Sequence, residues 1–307
     1  MANFPRKRAI PDDTLTAWAK QGAIGASKRT HEAVSAALDA YSWPPEASHT
    51  AYLQGSYRNC TNIRDDSDVD IVAELHFPFS PDLAILSQPE QAVFRAYHAD
   101  DPQLDWSDFR QHVLTALIGG FGASAIREDA RAIIALGDSN GLNANVLVCQ
   151  ERRIYSRFQS QASERYVPGV RFQDRVTKRW IDNFPRAHIV NGEDKDADGR
   201  TDHLYKPTVR MFKNARTHLV NNGAISDGLA PSYFIEGLLY NVPDIEFGSS
   251  YELSFGNCLK WLNRANFNGF MCQNELVSLF GRTPEQWEQP KAREFVDELV
   301  SLWRRWR

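Results

Sequence analysis

The 307-residue chain lacks long hydrophobic runs, is sparing with cysteine and carries no excess of positive charge. Each lack excludes something. Spanning a bilayer takes about 20 consecutive apolar residues, and no stretch approaches that; the N-terminal "MANFPRKRAIPDD" also lacks the apolar segment of a secretory signal. Its "PRKR" piece reads as a solvated tail. The cysteines Cys60, Cys149, Cys258 and Cys272 are scattered, without a C-x-x-C pair. They read as free thiols in a reducing compartment rather than as a disulfide framework or a zinc site. The histidines add no metal-ligand spacing to them. A formal net charge of −4 argues against a broad basic face for long nucleic acid, and leaves room for a local triphosphate pocket. No repeat or low-complexity tract is evident. A cytoplasmic protein that does not engage a membrane is expected.

What is there is organised in two halves. The chain is long enough for one large or two ordinary domains, with 42% hydrophobic and 24% charged residues. Residues 12–41 read as one long or interrupted helix, weakened at Gly22 and Gly25 and closed by "WPPEA". "TAYLQGSY" and "SDVDIVAEL" have strand character, 87–118 is helical, and "RAIIALGD" and "NANVLVCQERRIY" give two more strands. After about residue 170, four segments carry helical periodicity: "KPTVRMFKNARTHLV", "APSYFIEGLLYNV", "YELSFGNCLKWLNRA" and "PKAREFVDELVSLWRRW". In the last, Leu299, Leu302 and Trp303 are expected to pack while the arginines stay solvated. The division expected is 1–170 and 171–307, an α+β first half and a helical second.

The chemistry concentrates in "QGSYRNCTNIRDDSDVDIVAEL", residues 54–75. Side chains alternate across a strand, so Asp68 and Asp70 point to the same side. Two neighbouring carboxylates repel unless a cation lies between them, and oxygen-only ligands favour magnesium or manganese. Alone, a D-x-D is as well explained by solvated acids at a strand edge. Gly55-Ser56 changes the weighting, because glycine lets backbone N–H groups approach phosphate and a serine hydroxyl can donate to it. A lone Gly-Ser is an ordinary turn; the combination is far more specific than its parts.

That combination resembles the nucleotidyltransferase superfamily of polymerase-β type. The wider chain is similar to the bacterial cGAS/DncV-like nucleotidyltransferases (CD-NTases) of the SMODS type, with clade G the nearest group. "YKPTVRMFKNART", "LAPSYFIEGLLYNVP" and the Trp-rich last helix match that family's helical lobe. The resemblance covers nearly the whole chain and implies a two-lobed α+β fold, a polymerase-β-like core with a helical C-terminal lobe. It implies that Asp68 and Asp70 hold Mg2+ or Mn2+, and that Gln54, Gly55 and Ser56 line a donor triphosphate. It also implies that Lys213 reaches phosphates, Ser232 touches phosphate and Tyr233 stacks on a base. Without the family, Lys213 would read as a solvated charge and Tyr233 as a core aromatic.

The family places a third acid on a neighbouring strand, in a pattern like Ala-Asp-Val-hydrophobic. Here the pattern is Ala144-Asn145-Val146-Leu147. Asparagine offers one neutral oxygen and cannot take a proton at neutral pH. Losing metal activation or general-base help costs on the order of 10²–10⁴ in rate. Three explanations stand open: an Asp→Asn change made to trap a nucleotide complex, a natural homologue of low activity, or another acid such as Asp138 in the role. The first is favoured, because the rest of the motif is intact.

By resemblance the activity is metal-dependent joining of NTPs, ATP and GTP foremost, into a cyclic oligonucleotide second messenger. A purine cyclic dinucleotide is expected, acting on a separate effector protein in anti-phage (CBASS) defence. The alternatives are a toxin-like nucleotidyltransferase acting on tRNA or protein, and a nucleotide-binding pseudoenzyme. The animal relative, cyclic GMP-AMP synthase, has a His/Cys zinc insertion for DNA that this chain lacks, so no requirement for long duplex DNA is expected. "DKDADGRTDHLY" has acids at calcium-loop spacing but Tyr205 where the bidentate glutamate belongs, and reads as an acidic surface loop.

Overall fold

The computed structural model describes residues 10–22, 24–64, 68–102, 104–137, 141–283 and 285–306. In chain order the elements are α1 (Asp12–Ala19), α2 (Ile24–Asp39), β1 (Ser48–Leu53), α3 (Gly55–Arg58), β2 (Asp68–Asp82), α4 (Gln88–Tyr97) and α5 (Trp106–Phe121). There follow β3 (Ile126–Glu128), β4 (Ile133–Ala135), β5 (Asn143–Arg157), β6 (Arg165–Gln173) and β7 (Trp180–Asn183). The chain ends with α6 (Pro185–Asp196), α7 (Tyr205–Asn221), α8 (Ser232–Tyr240), α9 (Tyr251–Leu262) and α10 (Gln289–Arg305).

The chain divides into two compact units. One takes Ile24–Tyr57 and Ser67–Arg186; the other takes the first 23 residues, Arg58–Asp66 and Ala187–Arg307. A single cut near residue 170 does not describe this division. β6 and β7 belong with the sheet, and α1 belongs with the C-terminal helices.

In the sheet unit, the strand order is β1-β2-β5-β4-β3, with β6 on β5 and β7 on β6. β2 and β5 run parallel, in the register Asp68↔Asn143, Asp70↔Asn145 and Ile71↔Val146. Alternation then assigns the faces. Val69, Ile71, Ala73 and Leu75 of β2 join Ala144, Val146 and Val148 of β5 in a core with Val34 and Leu38 of α2 and Phe109, Val113 and Leu117 of α5. The opposite face carries Asp68, Asp70, Glu74 and His76 of β2 beside Asn143, Asn145 and Glu151 of β5. One face therefore holds the helices, and the other holds the polar chemistry.

The helical unit is built on α1, α7, α8, α9 and α10 around Leu15, Val209, Phe212, Leu238, Phe255 and Leu259. On α10 the buried residues Ala292, Phe295, Val296, Leu299, Val300 and Trp303 recur at helical spacing, and Leu302 packs partly buried beside them. Residues 12–41 take the interrupted form of the expected helix, as α1 and α2. Gly22 lies so close to residues 62–63 that an added Cβ would sit 2.4 Å from the Ile63 carbonyl oxygen, and its N–H donates to Asn62 O at 3.1 Å. The helix expected over 87–118 is likewise two, α4 and α5, each with its own N-terminal side-chain cap, Ser87/Glu90 and Asp105. Residues 185–196 form α6, so the stretch read as an acidic loop begins inside a helix: Asp194 pairs with Arg200, and Asp196 accepts from the Lys206 N–H.

Candidate nucleotidyltransferase site

In the sheet unit, β1 delivers the Gly-Ser segment against the acidic strand. Leu53 pairs with Ile71, and the next N–H, of Gln54, donates to Asp70 O at 2.9 Å. The chain then turns sharply at Gly55, whose φ is +66°, to begin α3. A Cβ at this position would lie 2.3 Å from Asp70 Oδ2. Only a residue without a side chain allows this turn and this approach together. The short helix carries Ser56, half-buried, directly after that glycine.

Across the parallel rung, Asn143 Nδ2 donates to Asp68 Oδ1 at 3.1 Å and Asn145 Nδ2 to Asp70 Oδ1 at 3.4 Å. Gln54, Gly55, Ser56, Asp68, Asp70 and Asn145 are thus assembled at one corner of the sheet, all partly accessible. The Gln54 side-chain oxygen is buried with no hydrogen-bond partner among the described residues. Asp138, the alternative acid, lies outside the described residues, as do 65–67 between the Gly-Ser and the first aspartate. The donor set is oxygen-rich and fits a hard divalent cation. Asp68 and Asp70 could supply charged ligands, and the Asn145 side chain lies across from them, its Nδ2 donating to Asp70 Oδ1.

A second cluster lies further along the same face. One ligand atom each from Glu74, His76 and Glu151 falls within 4.8 Å of the others, a spacing that could hold a metal. Cations are already built in, however. His76 Nδ1 is 3.3 Å from Glu151 Oε2 and 3.4 Å from Glu74 Oε1, Arg153 donates to Glu151 at 2.7 Å, and Arg186 approaches Glu74 at 3.4 Å. Hydrogen bonding to Glu151 first, and to Glu74 next, lifts His76 to about 9. Burial would push Glu151 up, but the bonds from His76 and Arg153 outweigh it and hold the carboxyl below its usual range. With those charges in place, this cluster is a salt network.

In the helical unit, Lys213 belongs to a buried polar knot, with Tyr233 packed beside it on the His188 ring. Lys213 of α7 is fully buried, and its ammonium lies 2.8 Å from Glu236 Oε1 and 3.1 Å from Thr61 O. Glu236 of α8 accepts from Thr61, Asn59, Lys213 and His188 together. Burial alone would raise this carboxyl; Lys213 and His188 reverse that and hold it far below the carboxylate range. Tyr233 lies one turn before Glu236, stacked on the His188 ring at 5.2 Å and 20°, with burial raising its hydroxyl's pKa. Ser232, the first residue of α8, is half-buried. Glu236 and His188 escaped the sequence reading, although one signal existed: an acid inside the otherwise apolar run "YFIEGLL" requires buried donors.

Comparison with known proteins adds a consistent frame. Residues 190–304 match the family described as the cGAS/DncV-like nucleotidyltransferase C-terminal helical domain. The chain is 42% identical to the cyclic UMP-AMP synthase of Rhodothermus marinus, over 97% of this chain and 99% of that one. It is 35% identical to the cyclic nucleotide synthase CdnE01 of Staphylococcus haemolyticus, over the same shares of 97% and 99%. The structure of the Rhodothermus marinus CdnE c-UMP-AMP synthase with Apcpp and Upnpp superposes with a TM-score of 0.86, at 41% identity and 97% coverage of each chain. The architecture is therefore the mixed α/β one of these synthases, a sheet followed by a helical C-terminal domain. No helix among the described residues is long and apolar enough to cross a membrane.

Proposed function

The chain belongs to the cGAS/DncV-like nucleotidyltransferases, enzymes that make cyclic nucleotides, and we propose that it joins two nucleoside triphosphates into a cyclic dinucleotide containing at least one purine. The observation that supports this reading is how tightly the Gly55 turn packs on the acidic strand: a Cβ added at Gly55 would lie 2.3 Å from Asp70 Oδ2. Backbone N–H groups at Gly55 and the Ser56 hydroxyl would bind the donor triphosphate, with Gln54 beside them. Asp68 and Asp70 would hold Mg2+ or Mn2+, which when bound neutralises charge developing on the phosphates. The protein's part is to align a ribose hydroxyl for in-line attack at the α-phosphate, with pyrophosphate leaving. Ser232 would contact phosphate and Tyr233 a base. Lys213, read by resemblance as a phosphate contact, has its ammonium buried against Glu236 and Thr61 here, so its part in the proposed site is to hold α7 to α8.

Asn145 bears on rate rather than on binding. It cannot accept the hydroxyl proton, and its amide donates to Asp70 where a carboxylate would supply a ligand. Slow turnover with intact nucleotide binding is expected, and that geometry also favours the second reading, a nucleotide-binding pseudoenzyme. The purine expectation is kept for one base; the name of the 42% identical relative pairs uridine with adenosine, so ATP is the proposed common substrate and UTP or GTP the partner. The product would signal to a separate effector protein in anti-phage CBASS defence, in the cytoplasm. The test incubates this protein and Asn145→Asp with all NTP pairs and Mg2+ or Mn2+, followed by phosphatase and mass spectrometry. A phosphatase-resistant cyclic dinucleotide containing adenine is expected from the aspartate form. Label transferred to tRNA or protein would sink the reading, and binding without product in both forms would favour the pseudoenzyme.

A further inference from the structure

His188 makes two contacts with one helix. Its Nε2 is 2.9 Å from Glu236 Oε2, and its ring makes an offset stack with Tyr233, three residues earlier on α8. A carboxylate only accepts, so Nε2 carries the hydrogen of that bond. Residues at i and i+3 share a helix face, so one imidazole can clamp both. The anchor end is heavily determined: the same carboxylate accepts from Lys213, Thr61 and Asn59. The backbone end is fixed as well, since the His188 carbonyl accepts from Gln273 at 2.6 Å and Gln273 accepts from the Tyr205 hydroxyl at 2.5 Å. His188 Nδ1 is buried without a partner among the described residues. The ring is thus held in one orientation by its Glu236 bond and its stack, with no second polar contact from the ring among the described residues.

We propose that His188, anchored by Glu236, is a positioning residue that fixes the plane of Tyr233 and takes one face of its ring, so that a nucleobase is received on the other. A flat ring has two faces, and an aromatic backing on one removes the freedom of Tyr233 to tip away from an incoming base. The inference rests on the reading of Tyr233 as a base platform; the Tyr233 hydroxyl is tied separately, accepting from Asn274 Nδ2 at 3.3 Å, and His188 is the side chain stacked on the ring. The inference also accounts for a glutamate kept charged inside an apolar helix.

The test reads binding rather than turnover, because Asn145 bears on rate. Affinity for the non-hydrolysable analogue Apcpp is measured by calorimetry with magnesium, alongside melting temperature, for Tyr233→Ala, His188→Ala, His188→Phe and the double alanine variant. Tyr233→Ala is expected to weaken binding about tenfold or more, in line with base–aromatic stacking. His188→Ala is expected to weaken it about three- to tenfold, a part of the same stacking contribution. His188→Phe, which keeps a flat ring on Tyr233, recovers most of that loss even where its melting temperature is lowered. In the double variant His188→Ala adds nothing to Tyr233→Ala, as expected when one residue acts only through the other. Should His188→Ala not fold, His188→Leu, similar in bulk but without the ring, takes its place. Weakened binding in Tyr233→Ala with parental binding in His188→Ala overturns the positioning role alone. Additive losses do the same. Parental binding in Tyr233→Ala overturns the platform reading and this inference with it.

Discussion

β2 and β5 carry acids on the same face at two places, and the two are built differently. At the start of the pair, Asp68 and Asp70 receive the amides of Asn143 and Asn145 and face the glycine turn at residue 55. Further along, Glu74 and Glu151 receive His76, Arg153 and Arg186. Glu74 is 1% exposed and Glu151 7%, so a charge at either position needs a permanent partner. The first place combines oxygen donors, partial access and a backbone that phosphate can approach. Clustered acids alone do not identify a metal site: at the second place the acids are buried and held by His76, Arg153 and Arg186, whereas at the first they are partly accessible beside a glycine turn.

The largest effects should separate these two places. Asn145→Asp is expected to raise turnover by about 10²–10⁴, the usual range for restoring a metal-activating or proton-accepting carboxylate. Adding Asp70→Asn to that variant should remove the gain, read as cyclic product by mass spectrometry. Glu151→Gln in the same background should leave metal-dependent turnover standing and lower thermal stability instead. If Glu151→Gln abolished turnover while Asp70→Asn did not, the assignment of the two clusters would be reversed.

Glu236 extends the comparison into the helical unit, because it too carries its own cation. Lys213→Met removes the ammonium paired with the buried Glu236 carboxylate, and breaking such a pair costs about 3–5 kcal/mol. Denaturant unfolding should show a loss of that order. A loss below about 1 kcal/mol, the range of exposed pairs, would mean that the ion pair is solvent-screened.

Gly55→Ala tests the first place from the backbone side. A side chain at φ +66° that also meets Asp70 Oδ2 should cost about 1–3 kcal/mol of local strain. Weaker Apcpp binding should accompany it, measured by calorimetry. Parental binding and stability together would show that the turn relaxes and that the close approach is not needed.

Much of this was legible in the sequence because it is local. The D-x-D alternation follows from strand geometry, and the Gly-Ser turn from what glycine permits. The C-terminal helices announce themselves in the spacing of Phe295, Leu299 and Trp303. What was hidden depends on distant partners. β6 contains Pro168 and Gly169, which argue against a strand, yet it pairs with β5 on one side and β7 on the other. The buried state of Lys213 depends on Glu236 and on Thr61, far away in the chain, and nothing in "MFKNA" reports it. The split of residues 12–41 depends on a carbonyl at position 63 approaching Gly22.

The smallest effect is carried by pH at the second place. His76 is raised to about 9 by Glu151 and Glu74, from an ordinary value of about 6.5 in an unfolded chain. A group with a raised folded value binds its proton more tightly in the folded state, so it stabilises the fold fully below about 6.5. That contribution declines as pH rises and is gone above about 9, where both states are neutral at this residue. His76→Gln removes it, so the melting temperatures of parent and variant should differ most near pH 6 and converge towards pH 9 and beyond. The partial exposure of His76 keeps the gap modest, since solvent screens part of the attraction. A gap that stayed constant from pH 6 to 10 would mean that His76 contributes by packing and neutral hydrogen bonds, including the one with Thr50. In that case the compensation of Glu74 and Glu151 would rest on Arg153 and Arg186.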